Sequence, residues 1–266
     1  MSFQRTMNKL ENLSLQKPDK LLTVYLNTDR SDPDQQGGEW KIALKNGFNS
    51  LVEYLESAPE ERERLQAIRP KVENHILSRE RELPRSFIIF ASADSGIWET
   101  FELQVPVETN FYWEEKPHLE QLKSLHDQYP QTGLILLQQN QIKILTSAFG
   151  QLQTSEFMEF DLDTEDWRRS EGPHHADVSM GSGGGKSNQQ DEFDERLKAN
   201  QQRWWKSLGS ILDKKAADEN WEKIVLVGDK EEAAVLAENM NKDVHDTIQK
   251  NLLNENEHQV IEKLLA

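Results

Sequence analysis

Short apolar runs rich in β-formers, set in a strongly charged chain, limit the fold more than any other feature. Leu21-Leu-Thr-Val-Tyr-Leu26, Ser86-Phe-Ile-Ile-Phe-Ala91, Gly133-Leu-Ile-Leu-Leu-Gln138 and Lys223-Ile-Val-Leu-Val-Gly228 each read as a buried strand. Helical periodicity fills the intervals. Trp40, Leu44, Phe48, Leu51 and Leu55 recur on one face, and Leu119, Leu122 and Leu125 mark a connecting helix within Pro117 to Gln128. A charged helix is expected from about Glu60 to Arg81, kinked or divided at Pro70. The class is therefore α/β or α+β.

Residues 1–20 suit a short amphipathic helix carrying Met7, Leu10 and Leu13, and Asn27 to Gly38 is a polar loop. Ile97 to Val107 holds one or two more strands after the turn at Asp94-Ser-Gly96. Gly133 to Gln138, Gln141 to Leu145 and Gly150 to Phe160 form a β-meander, turning at Gln139-Asn140 and Phe149-Gly150. Asp161 to Asn188 is expected to be a long loop, a length usually tied to function or disorder. One helix should then run from Asp191 to about Leu212, with Phe193, Leu197, Trp204, Leu208, Ile211 and Leu212 on its apolar face. After the last apolar run come a helix from Glu231 to about Met240, a short strand at Val244 to Ile248 and a closing helix from Glu255. Two mixed α/β units result, 1–117 and 118–266.

Composition removes several chemistries. The chain has no Cys, so it can hold no disulfide, thiolate metal site or cysteine nucleophile. No apolar signal core or membrane-length run occurs, and a cytoplasmic, monomeric protein with no membrane partner is expected. The formal charge of −16 argues against DNA and confines any RNA contact to a local surface.

The chemistry concentrates in Gly181-Ser-Gly-Gly-Gly-Lys-Ser-Asn-Gln-Gln190, where four of the thirteen glycines fall together. Glycine permits close backbone approach to another molecule. A phosphate-binding loop would need the pattern Gly-x-x-x-x-Gly-Lys-Ser/Thr, but Met180 stands where the first Gly belongs. Asp191 and Glu192 behind it also oppose a bound polyphosphate. His174-His175 has no chelating spacing, so neither a metal nor a cofactor is expected. What remains is a glycine loop, three amides at Asn188, Gln189 and Gln190, and a helix whose Arg196, Arg203 and Lys206 flank its apolar stripe. Arg suits phosphate contact, although exposed cations on an acidic helix are ordinary.

This order of elements resembles the archaeo-eukaryotic peptide-chain release factors, with Pelota-type rescue factors, quality-control peptidyl-tRNA hydrolases and their bacterial relatives. Their central domain carries a β-meander, a long loop ending in Gly-Gly-Gln, a long helix and a strand with a Gly turn. Gly133 to Phe160 resembles the meander, Gly183-Gly-Gly185 the loop, Phe193, Arg196 and Arg203 the helix signature, and Ile224-Val-Leu-Val-Gly228 the later strand. Val24-Tyr-Leu-Asn-Thr-Asp29 and Asp34-Gln-Gln-Gly-Gly-Glu-Trp40 are similar to the bacterial subgroup.

The resemblance implies a ribosome-associated factor that hydrolyses the peptidyl-tRNA ester of stalled chains. Gly184, Gly185, Gln189 and Gln190 would do the chemistry, and Lys186, Arg196, Arg203 and Lys206 would hold RNA. The strict triplet is absent, because Lys-Ser-Asn separates Gly185 from Gln189. Counting back from Phe193 favours Asn188 as the working amide, whereas a looser Gly-x-Gln pattern favours Gln189 or Gln190. The altered triplet also fits a second implication, a non-hydrolytic stress or hibernation factor at the same site. The family's codon-reading Cys motif cannot exist here, and with Ala266 last no domain for a partner GTPase is expected, so stop-codon decoding is not.

Overall fold

The structure is a computed structural model that describes residues 3–31, 37–161, 166–170 and 204–265. It divides into two compact units, Met1–Asp127 and Gln128–Ala266. Both mix helices with a sheet, as the apolar runs imply.

The first unit follows the order α1 (Phe3–Glu11), β1 (Leu21–Asn27), α2 (Glu39–Tyr54), α3 (Pro59–Ser78), β2 (Ser86–Ala91), β3 (Trp98–Leu103), β4 (Asn110–Glu114) and α4 (Glu120–Gln128). Its sheet is antiparallel throughout, in the order β3-β2-β1-β4. β1 and β2 are buried along nearly their whole length, which is why their sequences are continuously apolar. Leu22, Val24, Leu26, Phe87 and Ile89 point to one face, where they pack with Trp40, Leu44 and Phe48 of α2 and Leu65, Ile68, Val72 and Ile76 of α3.

α3 departs from expectation, since it runs unbroken through Pro70. Proline removes one backbone hydrogen bond and crowds the preceding turn. The buried stripe on both sides of it, Leu65 and Ile68 before and Val72 and Ile76 after, holds the two halves on the same sheet face. α4 lies in the first unit, although the sequence placed a boundary at 117/118. Its fixings explain this. Tyr25 Oη donates to the His118 carbonyl at 2.6 Å, and Gln121 exchanges two hydrogen bonds with the Glu108 backbone at 3.0 and 3.1 Å.

The second unit contains β5 (Thr132–Gln138), β6 (Gln141–Ala148), β7 (Gln151–Asp161), β8 (Asp166–Ser170), a helix α5 over 204–218, β9 (Lys223–Val227), α6 (Lys230–Glu238), β10 (Asp246–Ile248) and α7 (Glu257–Leu265). Its sheet is mixed, in the order β10-β9-β5-β6-β7-β8. β5, β9 and β10 are parallel, whereas β5 to β8 form an antiparallel meander. The turns between β5, β6 and β7 place Gln139, Phe149 and Gly150 at positive φ, as the expected turn positions require.

β8 corrects the expectation of an unbroken loop from Asp161 to Asn188: Asp166–Ser170 adds a fourth strand to the meander, Asp166 pairing with Asp161 and Ser170 with Phe157. The sheet is covered on both faces. Ile135, Ile142, Ile144 and Phe160 meet α5 and α6, and Leu134, Leu136, Val225 and Val227 meet Val260 and Ile261 of α7.

Candidate functional site

α5 is the part of the expected functional apparatus that falls among the described residues, and the sheet holds it along its described length. Trp204, Trp205, Leu208, Leu212 and Ala216 are buried against the meander. At the first described residue of the helix, the Trp204 ring lies on Phe160, with centroids 4.0 Å apart and planes 33° from parallel. Phe160 stands at the carboxyl end of β7, which is also the carboxyl end of β5. From Trp204 onward, α5 therefore runs from the carboxyl end of the parallel strands back towards their amino end.

At that far end a polar clamp takes over. Lys215 reaches Glu156 of β7 at 2.9 Å and Glu219 at 2.6 Å. Glu219 also accepts from Thr146, and Trp221 Nε1 donates to Thr146 at 3.0 Å and to Glu219 at 3.2 Å. Burial alone would lower the Lys215 ammonium, but its hydrogen bonds to Glu219 and Glu156 carry it above the usual lysine value. Burial likewise pushes the Glu219 carboxyl up, and hydrogen bonds from Lys215, Thr146 and Trp221 outweigh that and hold it below the usual range. The sequence reading ended the helix near Leu212; the clamp and buried Ala216 continue it to 218.

The opposite side of α5 faces solvent. Lys206, the one expected RNA-binding residue among the described residues, is exposed there. Gly184, Gly185, Lys186, Gln189, Gln190, Arg196 and Arg203 lie outside the described residues, as do Asn188, His174 and His175. Among the described residues no cluster of three His, Asp or Glu side chains could hold a metal ion.

Sequence reasoning did not anticipate a cleft of about 310 Å³ at the carboxyl ends of β5, β9 and β10. The topology creates it. β5 leaves by a hairpin to β6 on one side, whereas β9 leaves through α6 to β10 on the other, so the connections diverge between adjacent strands. Open sheets bind ligands at such points. Gln138, Gly228, Asp229, Glu232 and Lys250 line it. At Gly228 a Cβ would fall 2.6 Å from the Leu137 carbonyl oxygen, so backbone meets backbone there. Asp229 caps α6 by accepting from the Glu231 and Glu232 amides at 2.8 and 3.3 Å. Burial raises the Glu232 carboxyl, and the Asp229 charge adds to this against a hydrogen bond from the Gln139 backbone.

The first-unit motif that resembled the bacterial subgroup has a structural use. Asp29 is buried and accepts from Ser31 and from Arg85 Nε at 2.8 Å, tying the end of β1 to the start of β2. Burial would raise its carboxyl, but the Ser31 and Arg85 bonds hold it below the usual range.

A model of bacterial archaeo-eukaryotic release factor family 5 matches residues 130–266, just over half the chain and nearly all of the second unit. The chain belongs to this family. Its members are release-factor-like proteins of translation, a class that works with the ribosome. The uncharacterized protein YocB of Bacillus subtilis (strain 168) is similar, 47% identical over 266 residues that span all of this chain and 99% of the relative. Among solved structures, an archaeal protein aligns over 99% of this chain and 70% of its own, at 12% identity and a TM-score of 0.32. The archaeal translation termination factor aRF1 aligns over 98% and 71%, at 12% identity and a TM-score of 0.31. No described helix is long and apolar enough to cross a membrane.

Proposed function

We propose that this protein is a cytoplasmic, monomeric release or rescue factor that acts on the large ribosomal subunit and hydrolyses the peptidyl-tRNA ester of stalled nascent chains. The observation that carries this reading is the family match over 130–266, which includes the glycine-rich segment and the arm behind it. In the reaction a water oxygen bonds to the ester carbonyl carbon, the bond to the tRNA 3′ oxygen breaks, and the water's proton ends on that oxygen. The barrier falls by positioning the water and stabilising the oxyanion, with most of the framework supplied by the ribosome. Gly184 and Gly185 would let the backbone approach the ester, and an amide among Asn188, Gln189 and Gln190 would orient the water. Lys186, Arg196, Arg203 and Lys206 would hold RNA phosphates.

The test is peptide release from stalled ribosomes or large subunits by purified protein, with Gly184, Gly185 and Gln189 replaced together in a parallel sample. Release that depends on those residues supports the reading. Equal activity in the variant would sink the assignment of the loop. The interrupted triplet favours a second reading, a stress or hibernation factor that binds the same site without hydrolysis. Co-sedimentation with ribosomes and no release would establish that one instead.

A further inference from the structure

The overall charge of −16 is a poor match for an RNA ligand, yet the solvent side of α5 carries a line of cations. Lys206, Ser210 and Lys214 follow one another at i, i+4 and i+8, a single ridge along the outside of the helix. The two ammonium groups sit on a backbone rise of about 12 Å. Both lysines are exposed, and neither forms an ion pair among the described residues. The ridge ends at Asp218.

A third lysine is fixed beside this ridge. Asp213 accepts from the backbone amides of Asn241 and Lys242 at 2.8 and 2.9 Å and from Asn241 Nδ2 at 2.7 Å. Those bonds occupy the carboxylate next to Lys214 and dock the segment that carries exposed Lys242. Packing makes the arrangement rigid, because a Cβ on Gly209 would fall 2.3 Å from the Asn239 carbonyl oxygen. Lys215, by contrast, is turned inward into the clamp. The helix thus spends one lysine on its own anchoring and leaves the others outward.

We infer that Lys206, Ser210, Lys214 and Lys242 form a docking surface for an RNA sugar-phosphate backbone, extending the contact beyond the loop and arm. Serine donates to a phosphate oxygen and lysine supplies the charge, a combination that grips backbone without reading sequence. This deepens the proposed function and rests on it for the identity of the RNA as ribosomal. It also accounts for how an acidic protein meets RNA: Lys206 and Lys214 share one ridge, and the Asp213 carboxylate beside Lys214 is taken up by the segment that carries Lys242.

The experiment measures binding to large ribosomal subunits and, separately, to naked ribosomal RNA across a salt series. The wild type is compared with Lys206→Gln, Lys214→Gln and Lys242→Gln combined. A control combines Lys45→Gln, Lys71→Gln and Lys116→Gln, exposed lysines of the first unit that give the same change in net charge. Each lost phosphate contact lowers the slope of log affinity against log salt by about 0.7–0.9, so the triple variant should lose about 2–3 and the control almost nothing. Equal slopes for the wild type and both triples would overturn the surface. So would a wild type that binds no RNA at low salt. Lysine-dependent binding to naked RNA without binding to subunits would leave the surface standing and remove the ribosomal reading.

Discussion

Trp221 lies directly on Gly133: a Cβ at position 133 would come within 2.3 Å of the Trp221 ring. Gly133 sits near the start of β5, and the indole above it donates to Thr146 and Glu219, so the glycine makes room for the tryptophan that closes the clamp on α5. Gly133→Ala should therefore destabilise the second unit by about 1–3 kcal/mol, the usual cost of overpacking. Urea unfolding followed by tryptophan fluorescence measures it. A loss below about 0.5 kcal/mol, within the range of ordinary surface changes, would mean that the indole moves aside freely.

Trp204 anchors the same helix ahead of the clamp. Its ring is buried and stacks on Phe160, so Trp204→Ala removes both apolar burial and the aromatic contact. Large-to-small changes of this kind cost about 3–5 kcal/mol. Trp204→Phe keeps a ring against Phe160 and should recover most of that loss. Thermal melts of the three proteins compare them directly, and an equal melting point for Trp204→Ala would refute the anchoring role.

The clamp itself should show in the pH dependence of stability. The Glu219 carboxyl is depressed in the folded state, so its contribution is present above the ordinary value of 4.5 and fades as pH falls through the lower folded value. Lys215 is raised, so its contribution is complete below the ordinary value of 10.5 and is lost as pH climbs through the higher folded value. Lys215→Met leaves Glu156 and Glu219 without their cation and should cost about 1–3 kcal/mol near neutrality. The deficit should be widest between 4.5 and 10.5 and shrink at the acid end, where the Glu219 carboxylate protonates. A pH-independent deficit would assign the loss to packing alone.

The strands that the sequence shows plainly are those buried on both faces. Leu21 to Leu26, Ser86 to Ala91 and Gly133 to Leu137 are continuous apolar runs because their side chains are buried on both faces of the sheet. The edge strands leave a fainter mark. In β4 only Trp113 is buried, and in β8 Asp-Trp-Arg-Arg-Ser has no apolar alternation, so pairing to β1 and β7 rather than composition defines them. The end of α5 was obscured by Lys214-Lys215, which reads as a polar terminus, although Lys215 faces inward and Ala216 is buried.

The exposed position of Lys206 follows from helical spacing alone, one residue after the buried Trp204-Trp205 pair. The cleft could not be read in that way. Gln138, Asp229 and Lys250 come from three separate strand ends, and only the sheet order brings them together. Local periodicity carries no record of which strands become neighbours. The same holds for Asp213 and Lys242, whose meeting depends on how α5 packs against the segment after α6.

Glu232 provides a test of that cleft. Burial raises its carboxyl, and the neighbouring Asp229 charge pushes in the same direction, while a hydrogen bond from the Gln139 backbone opposes them. An acid whose pKa is raised by folding protonates more readily folded than unfolded, so its ionised form works against the fold above the folded value. That penalty disappears as pH falls through the folded value. Glu232→Gln retains an oxygen for the Gln139 amide and removes the charge. The variant should melt at a higher temperature than the wild type at neutral pH, and the difference should vanish on acidification as the natural carboxyl takes up its proton. Melting curves of both proteins across the acid range decide it: a variant less stable at neutral pH would mean that the ionised carboxylate holds the cleft together.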